Sequence, residues 1–110
     1  MDKVKEQRIR NLLGMAQRAR KVVSGAFAVE QAIKDGTAKL LLLAGDAEAK
    51  SVNAYKELAE KNCIPCVMVL RKDSMGECMG KEYRAVAALL DDGFSKSLRK
   101  LLGDIEKKDK

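Results

Sequence analysis

The segment AKLLLLAGD, residues 38–46, places four consecutive leucines before a glycine–aspartate turn. A strand with one face in water alternates apolar and polar residues, whereas a continuous apolar run indicates a strand covered on both faces. Turn residues end the run at Gly45 and Asp46. The chain must therefore fold around a strand that lies inside a sheet, with further structure above and below it.

Helical and strand patterns alternate along the rest of the chain, which predicts a central sheet covered by helices on both faces. One domain is expected over 1–110, with a charged tail from 104 that frays. In the second helix, Ala26, Val29 and Ile33 form the expected buried stripe. The first three predicted helices are 4–19, 25–35 with a stop at Gly36, and 48–62. One helical turn is predicted within 73–80, capped by Asp73 or Ser74, and the last helix is capped by Asp91-Asp92 and carries an apolar stripe of Phe94, Leu98, Leu101, Leu102 and Ile105. The predicted strands are 22–23, 38–46, a buried strand at 65–70, and 83–90.

Positive charge is concentrated at the N-terminal end. The net charge is +6, and residues 1–21 hold seven basic and two acidic side chains, a difference of +5. A basic end on a small domain suggests a polyanionic partner, most often nucleic acid. No apolar run reaches the roughly 18–20 residues of a membrane span, and the charged N-terminus does not resemble a signal peptide, so we expect a cytoplasmic protein with no membrane partner.

Several kinds of chemistry have little support in the sequence. There is no histidine, which removes the commonest general base and the commonest metal ligand. Cys63 and Cys66 form a C-x-x-C that could be a redox pair or half a zinc site, but it follows a helix instead of starting one, and only Cys78 could add a ligand. Buried, inert thiols are the better interpretation. We expect no metal, no cofactor and no small-molecule substrate.

The segment VVSGAFAVEQAIKDG, residues 22–36, predicts a strand that leads through Ser24 and Gly25 into a helix. Backbone N–H groups at such a helix start favour anions. The neighbouring cations Arg18, Arg20 and Lys21 are expected to flank this start if the chain turns there; the alternative is ordinary solvated charge. A second basic set is Arg71, Lys72, Lys81 and Arg84, which is weaker evidence because acidic residues are interleaved with it.

The order of these elements resembles a known family. Together, LLGMAQRARKVVSGAFAVEQAIKDGTAKLLLLAGDA at 12–47 and MGECMGKEYRAVAALLDD at 75–92 resemble the bacterial YlxQ-type branch of the kink-turn-binding ribosomal protein superfamily. The resemblance spans about residues 6–92. It implies an α/β protein, a three-layer α/β/α sandwich with a central mixed four-stranded sheet. It also implies a non-catalytic, RNA-binding component of ribosomes or ribonucleoproteins.

The residues with which the family reads RNA are altered in this chain. RNA-binding members have a polar pair two and three residues after the glycine that matches Gly25, and a lysine three residues further on. Phe27, Ala28 and Gln31 occupy these positions here. The resemblance therefore implies general RNA binding with weakened kink-turn preference. A bidentate base contact is worth roughly 1–3 kcal/mol, so losing two would cost a factor of roughly 10 to 10⁴ in preference.

Helical geometry places Phe27, Gln31 and Lys34 on one face of the second helix, away from its buried stripe. By resemblance, the loop with Met75 and Met79 lies beside this helix start, so Phe27, Ala28 and Met75 could form an exposed apolar patch. Alternatively, Phe27 folds onto the adjacent loop.

The expected function is RNA binding in or near the translation machinery, with ribosomal or other structured RNA and proteins of the ribosome or translation factors as partners. The expected RNA-binding residues are Arg18, Arg20, Lys21, Ser24, Gly25, Phe27, Ala28, Gln31, Lys34 and Met75. The alternative is a protein-interaction adaptor that kept the fold and lost specific RNA binding. An apolar Phe27 face would favour the adaptor, and surviving positive charge would favour RNA.

Overall fold

The computed structural model describes residues 3–103. The predicted alternation of strands and helices is confirmed, and the predicted fraying of 104–110 and the predicted place of Ile105 lie outside the described residues. The elements are α1 (Lys3–Arg18), β1 (Val22–Ser24), α2 (Ala26–Lys34), β2 (Leu40–Leu43), α3 (Ala49–Lys61), β3 (Cys66–Met68), α4 (Lys72–Cys78), β4 (Val86–Leu89) and α5 (Asp92–Leu101).

The four strands form one mixed sheet in the order β1-β4-β2-β3. β4 pairs antiparallel with both β1 and β2, whereas β2 and β3 are parallel. The leucine run forms β2, a central strand, and its four side chains are at most 1% exposed. β3 was expected to be a buried strand. It is instead an edge strand whose Met68 is 40% exposed, because only β2 pairs with it.

Two layers of helices cover the sheet, so the predicted three-layer α/β/α sandwich is confirmed. Successive strand residues point to opposite faces. Leu40 and Leu42 therefore pack with the helices α1, α4 and α5, while Leu41 and Leu43 pack with α2 and α3. β2 has no polar residue because each of its two faces packs against a hydrophobic core.

The starts of α4 and α5 are stabilised differently. Asp91 accepts a hydrogen bond from the Phe94 amide at 2.9 Å, so this predicted cap is confirmed. The predicted capping of α4 by Asp73 or Ser74 is wrong. Oδ1 of Asp46, from the loop after β2, accepts from the Lys72 amide at 2.8 Å instead.

The buried stripe of α2 differs from the predicted one at a single position. Val29 and Ile33 are buried as expected, but Ala26 is exposed and Ala32 is buried in its place. Ala26 is the first residue of α2, where the helix has only begun to pass over the sheet. Among residues 3–103, no helix is both long enough and apolar enough to cross a membrane.

Candidate nucleic-acid interface

Gly25 sets the turn from β1 into α2. Its backbone has φ 91° and ψ 153°, a combination that is open essentially only to glycine. Its N–H donates to the Val86 carbonyl at 3.0 Å, which extends the pairing of β1 with β4 by one residue. The first turn of α2 is therefore fixed beside the start of β4.

The first turn of α2 presents unpaired donors. Gly25 precedes the helix and supplies no side-chain cap. Within the described part of the chain, the amides of Ala26, Phe27 and Ala28 have no acceptor, and the first helical bond is from Val29 to the Gly25 carbonyl at 3.0 Å. Three N–H groups and the positive end of the helix dipole thus face outward, which favours an anion.

Arg84 is held beside this helix start. Its Nε donates to Oγ of Ser24 at 2.9 Å, and one terminal nitrogen donates to the Tyr83 carbonyl at 3.0 Å. A Cβ placed on Gly25 would lie 3.7 Å from the Arg84 Nε. The guanidinium is therefore oriented before any ligand arrives. From the sequence, Arg84 was only a weak candidate because acidic residues are interleaved with its basic neighbours. In the structure, the pairing of β1 with β4 brings Arg84 to the start of α2.

The loop that carries Arg84 packs tightly on α4. Gly76 allows this contact, because a Cβ there would lie 2.7 Å from the carbonyl carbon and oxygen of Glu82. The Gly76 carbonyl accepts from the Lys81 amide at 2.8 Å, and the Lys72 carbonyl accepts from the Arg84 amide at 3.1 Å. α4 thus holds the loop in the position from which Arg84 reaches Ser24.

Two aromatic side chains are exposed at this surface. Phe27 is 84% exposed and Tyr83, next to Arg84, is 64% exposed. Phe27 does not fold onto the adjacent loop, and Gln31 and Lys34 are exposed as predicted for their shared face. Tyr83 was not singled out from the sequence, where nothing distinguishes it from an ordinary strand residue.

Met75 does not belong to this surface. It was expected to form an exposed patch with Phe27 and Ala28, but it is fully buried and packs with Ile9 and Leu13 of α1. Met75 lies on α4 and Met79 directly follows its last residue, one helical turn further on. Both face the core, because α4 packs against α1 and is not an open loop.

The N-terminal cations also lie elsewhere than expected. The Lys21 carbonyl pairs with the Leu90 amide, whereas Gly25 pairs with Val86 at the other end of the same strands. Arg18, Arg20 and Lys21 therefore do not flank the start of α2. Three strand residues separate Lys21 from Gly25, so the two backbones are roughly 13 Å apart at about 3.3 Å per residue.

Lys34 lies toward the end of the sheet at which Lys21 pairs with Leu90. α2 starts at the Gly25 end of the sheet and runs back, and the chain re-enters the sheet at Leu40, which pairs with Leu89 as Val22 does. Phe27 and Lys34 are seven residues apart, about 10 Å along a helix that rises 1.5 Å per residue. The face of α2 thus connects the site at Arg84 with the N-terminal cations.

The cysteines give no sign of activation. Cys63 follows the end of α3 and Cys66 begins β3, as the sequence predicted, and both are free thiols. The prediction of buried thiols is wrong for Cys63, which is exposed because it follows the end of α3, while Cys66 is half-buried. Burial raises the pKa of the Cys66 thiol, whereas a reactive thiol has a lowered one. Among residues 3–103, no cluster of three histidine, cysteine or carboxylate side chains could hold a metal ion.

Comparison with known proteins gives a consistent result. Residues 7–99 match the model of the ribosomal protein L7Ae/L30e/S12e/Gadd45 family. The chain is 40% identical over 91 residues to the RNA-binding protein YlxQ of Bacillus subtilis, which covers 83% of this chain and 91% of that protein. It is 28% identical over 102 residues to the RNA-binding protein YlxQ of Enterococcus faecium, covering 93% and 98%.

Two solved structures are similar in fold. A protein of unknown function from Bacillus halodurans superposes with a TM-score of 0.80 and 31% identity, over 86% of this chain and 95% of that one. The Giardia lamblia 15.5kD RNA binding protein superposes with a TM-score of 0.77 over 97% and 92%. Its 19% identity makes this a likeness of fold alone.

Proposed function

The chain belongs to the ribosomal protein L7Ae/L30e/S12e/Gadd45 family, in its YlxQ-type branch, and we propose that it binds structured RNA, without catalysis, in association with the translation machinery. The observation that carries the proposal is the oriented guanidinium of Arg84 beside the uncapped start of α2. The relatives named above as RNA-binding proteins support the same class of ligand.

The phosphate contact in this proposal is made by Arg84 and the first amides of α2. A phosphate oxygen accepts from backbone N–H groups at a helix start and from a guanidinium with favourable charge. Arg84 donates from Nε to Ser24 and from one terminal nitrogen to the Tyr83 carbonyl, which leaves three of its five N–H groups for a ligand. Such contacts position an RNA without reading its sequence.

The bases are contacted by aromatic faces in place of polar side chains. Phe27 lies three residues after Ser24 in the sequence, and Tyr83 lies directly before Arg84, the hydrogen-bond partner of Ser24. Both aromatic side chains are exposed. Stacking of a base on an aromatic ring is worth roughly 1–3 kcal/mol and tolerates any base. With Phe27 and Ala28 in place of the family's polar pair, and the uncharged Gln31 in place of its lysine, the preference for kink turns is weakened while affinity for structured RNA is kept.

The RNA footprint extends along α2 to the other end of β1. Gln31 and Lys34 continue the exposed face that starts at Phe27. Arg18, Arg20 and Lys21 supply further positive charge at the far end of β1 from Gly25. These cations contact the RNA backbone at a second point. Each phosphate that the protein neutralises adds about 0.9 to the slope of log affinity against log salt for a duplex.

Exposure of Phe27 also favours one alternative, a protein-interaction adaptor. An 84% exposed phenyl ring could anchor an apolar partner. The adaptor does not explain why Arg84 is oriented toward a helix start that favours anions, so RNA binding is the better account.

Titration of the purified chain against a kink-turn RNA and a matched plain duplex, at several salt concentrations, tests the proposal. Binding to both RNAs with a steep salt dependence and a small kink-turn preference is expected. Failure to bind either RNA would contradict RNA binding and favour the alternative function, a protein-interaction adaptor.

A further inference from the structure

A groove of about 750 Å³ runs between α1 and α5, on the face of the sheet opposite α2. Both Val4 near the start of α1 and Leu101 at the end of α5 line it, so the two helices are antiparallel. Its lining residues are Val4, Lys5, Arg8, Leu12, Ser97, Lys100, Leu101 and Gly103. Neither the family's RNA-reading positions nor the surface at Arg84 includes any of them.

The groove combines an apolar floor with basic walls. Leu12 is buried in the floor, and Val4 at the N-terminal end of the groove is 65% exposed. Lys5, Arg8 and Lys100 supply three positive charges, and no acidic side chain is among the described lining residues. A ligand that fits must offer apolar side chains and negative charge together.

We propose that this groove binds an acidic amphipathic helix of a protein partner. A third helix packs naturally into the furrow between two antiparallel helices, with its apolar stripe on Val4, Leu12 and Leu101. Acidic residues beside that stripe face Lys5, Arg8 and Lys100. An RNA backbone would use the cations but gain nothing from covering Val4, and a neutral apolar helix would place no opposite charge beside Arg8 and Lys100.

The groove and the proposed RNA surface share no residue: α2 covers the opposite face of the sheet, and the Arg84 loop packs on α4, outside the α1–α5 groove. α2 and the Arg84 loop are therefore open when a helix occupies the α1–α5 groove. The protein could then connect an RNA with an acidic protein partner. This inference does not depend on RNA binding, because its ligand, its residues and its test are separate.

The test uses two synthetic helical peptides and the full-length, isotope-labelled protein. Both peptides carry the same leucine stripe; one has glutamate and the other has lysine at the flanking positions. The glutamate peptide is expected to shift the amide resonances of Val4, Arg8, Ser97 and Leu101 saturably. Arg8→Glu and Lys100→Glu are each expected to weaken its binding about tenfold, because they place like charges across the interface. Lys61→Glu, on exposed α3, makes the same change in net charge and is expected to leave binding unchanged.

Four results would overturn the proposal. One is equal binding of the lysine peptide, and another is the absence of a saturable shift with either peptide. A kink-turn RNA that moves the same groove amides would assign the groove to RNA. Peptide binding that appears only in a chain ending at Gly103 would assign the groove to residues 104–110 of the protein itself.

Discussion

The Nε of Arg84 donates a hydrogen bond to Oγ of Ser24 across 2.9 Å, between residues 60 positions apart in the sequence. This contact ties the loop after α4 to the last residue of β1, immediately before the uncapped start of α2. It converts a flexible cation into an oriented one at the place where the helix favours an anion. The proposed RNA site depends on it.

Removal of the guanidinium should weaken RNA binding. Arg84→Ala is expected to lower affinity roughly 10- to 150-fold, since a hydrogen bond to a charged group is worth roughly 1.5–3 kcal/mol, and to reduce the salt slope by about 0.9. Arg84→Lys should restore the charge but not the contact with Ser24, and therefore only part of the affinity. Fluorescence titration at several salt concentrations measures both quantities.

A double-mutant cycle separates orientation from charge. Ser24→Ala alone should weaken RNA binding less than Arg84→Ala, and it should have no further effect in the Arg84→Ala background. Lys61→Ala, an exposed cation on α3, is the control for a general loss of charge. Additive effects of the two site variants would show that the hydrogen bond does not orient Arg84.

Replacement of Gly25 should destabilise the fold. With φ at 91° and ψ at 153°, alanine would be strained by roughly 1–3 kcal/mol. Gly14→Ala is the matched control, because Gly14 lies inside α1 and an added Cβ there would meet only Arg18 at 3.7 Å. That control should gain up to about 1 kcal/mol. Urea unfolding measures both changes, and equal changes in the two variants would contradict the account.

Gly76→Ala should displace the loop that carries Arg84. Its new methyl group would meet the Glu82 carbonyl group at 2.7 Å, and this neighbour is backbone, which cannot rotate away. We expect a loss of about 1–3 kcal/mol in unfolding free energy, as for overpacking, and weaker RNA binding at temperatures where the variant is folded. Unchanged amide resonances for Tyr83 and Arg84 in the variant would rule out the displacement.

Acid should remove the capping of α4 by Asp46. The hydrogen bond from the Lys72 amide holds the pKa of the Asp46 carboxyl below its ordinary value, with Arg71 a smaller contributor. A lowered folded-state pKa means that this stabilisation is present above the unfolded pKa and is lost as the pH falls through the folded one. Wild type should therefore melt above Asp46→Asn near neutral pH, and the difference should disappear in strong acid. A difference that persists in strong acid would mean that the charge of Asp46 is not the cause.

Local sequence patterns predicted a sheet covered by helices on both faces, and the family resemblance implied the three-layer sandwich. The run of four leucines predicted a strand that is covered on both faces of the sheet. Gly25 and Gly36 predicted the two ends of α2. Phe27 was placed outside the core by helical spacing alone. These predictions needed no knowledge of how distant segments pair.

Prediction of the site required knowledge of how distant segments pair. Arg84 reaches Ser24 through the register of β1 with β4, and Asp46 caps a helix 26 residues away in the chain. Neither contact has a local signal. The expectation that Arg20 and Lys21 flank Gly25 was wrong because it ignored the length of β1 between them. The burial of Met75, in contrast, could have been predicted from its one-turn spacing with Met79.

The most direct test of the central claim is to map the amides that change when a kink-turn RNA is added to the isotope-labelled protein. The account predicts that the amide resonances of Ala26, Phe27, Ala28 and Arg84 shift saturably, while Lys61 and its neighbours on α3 do not. Shifts confined to other surfaces, with the start of α2 unchanged at saturating RNA, would contradict it.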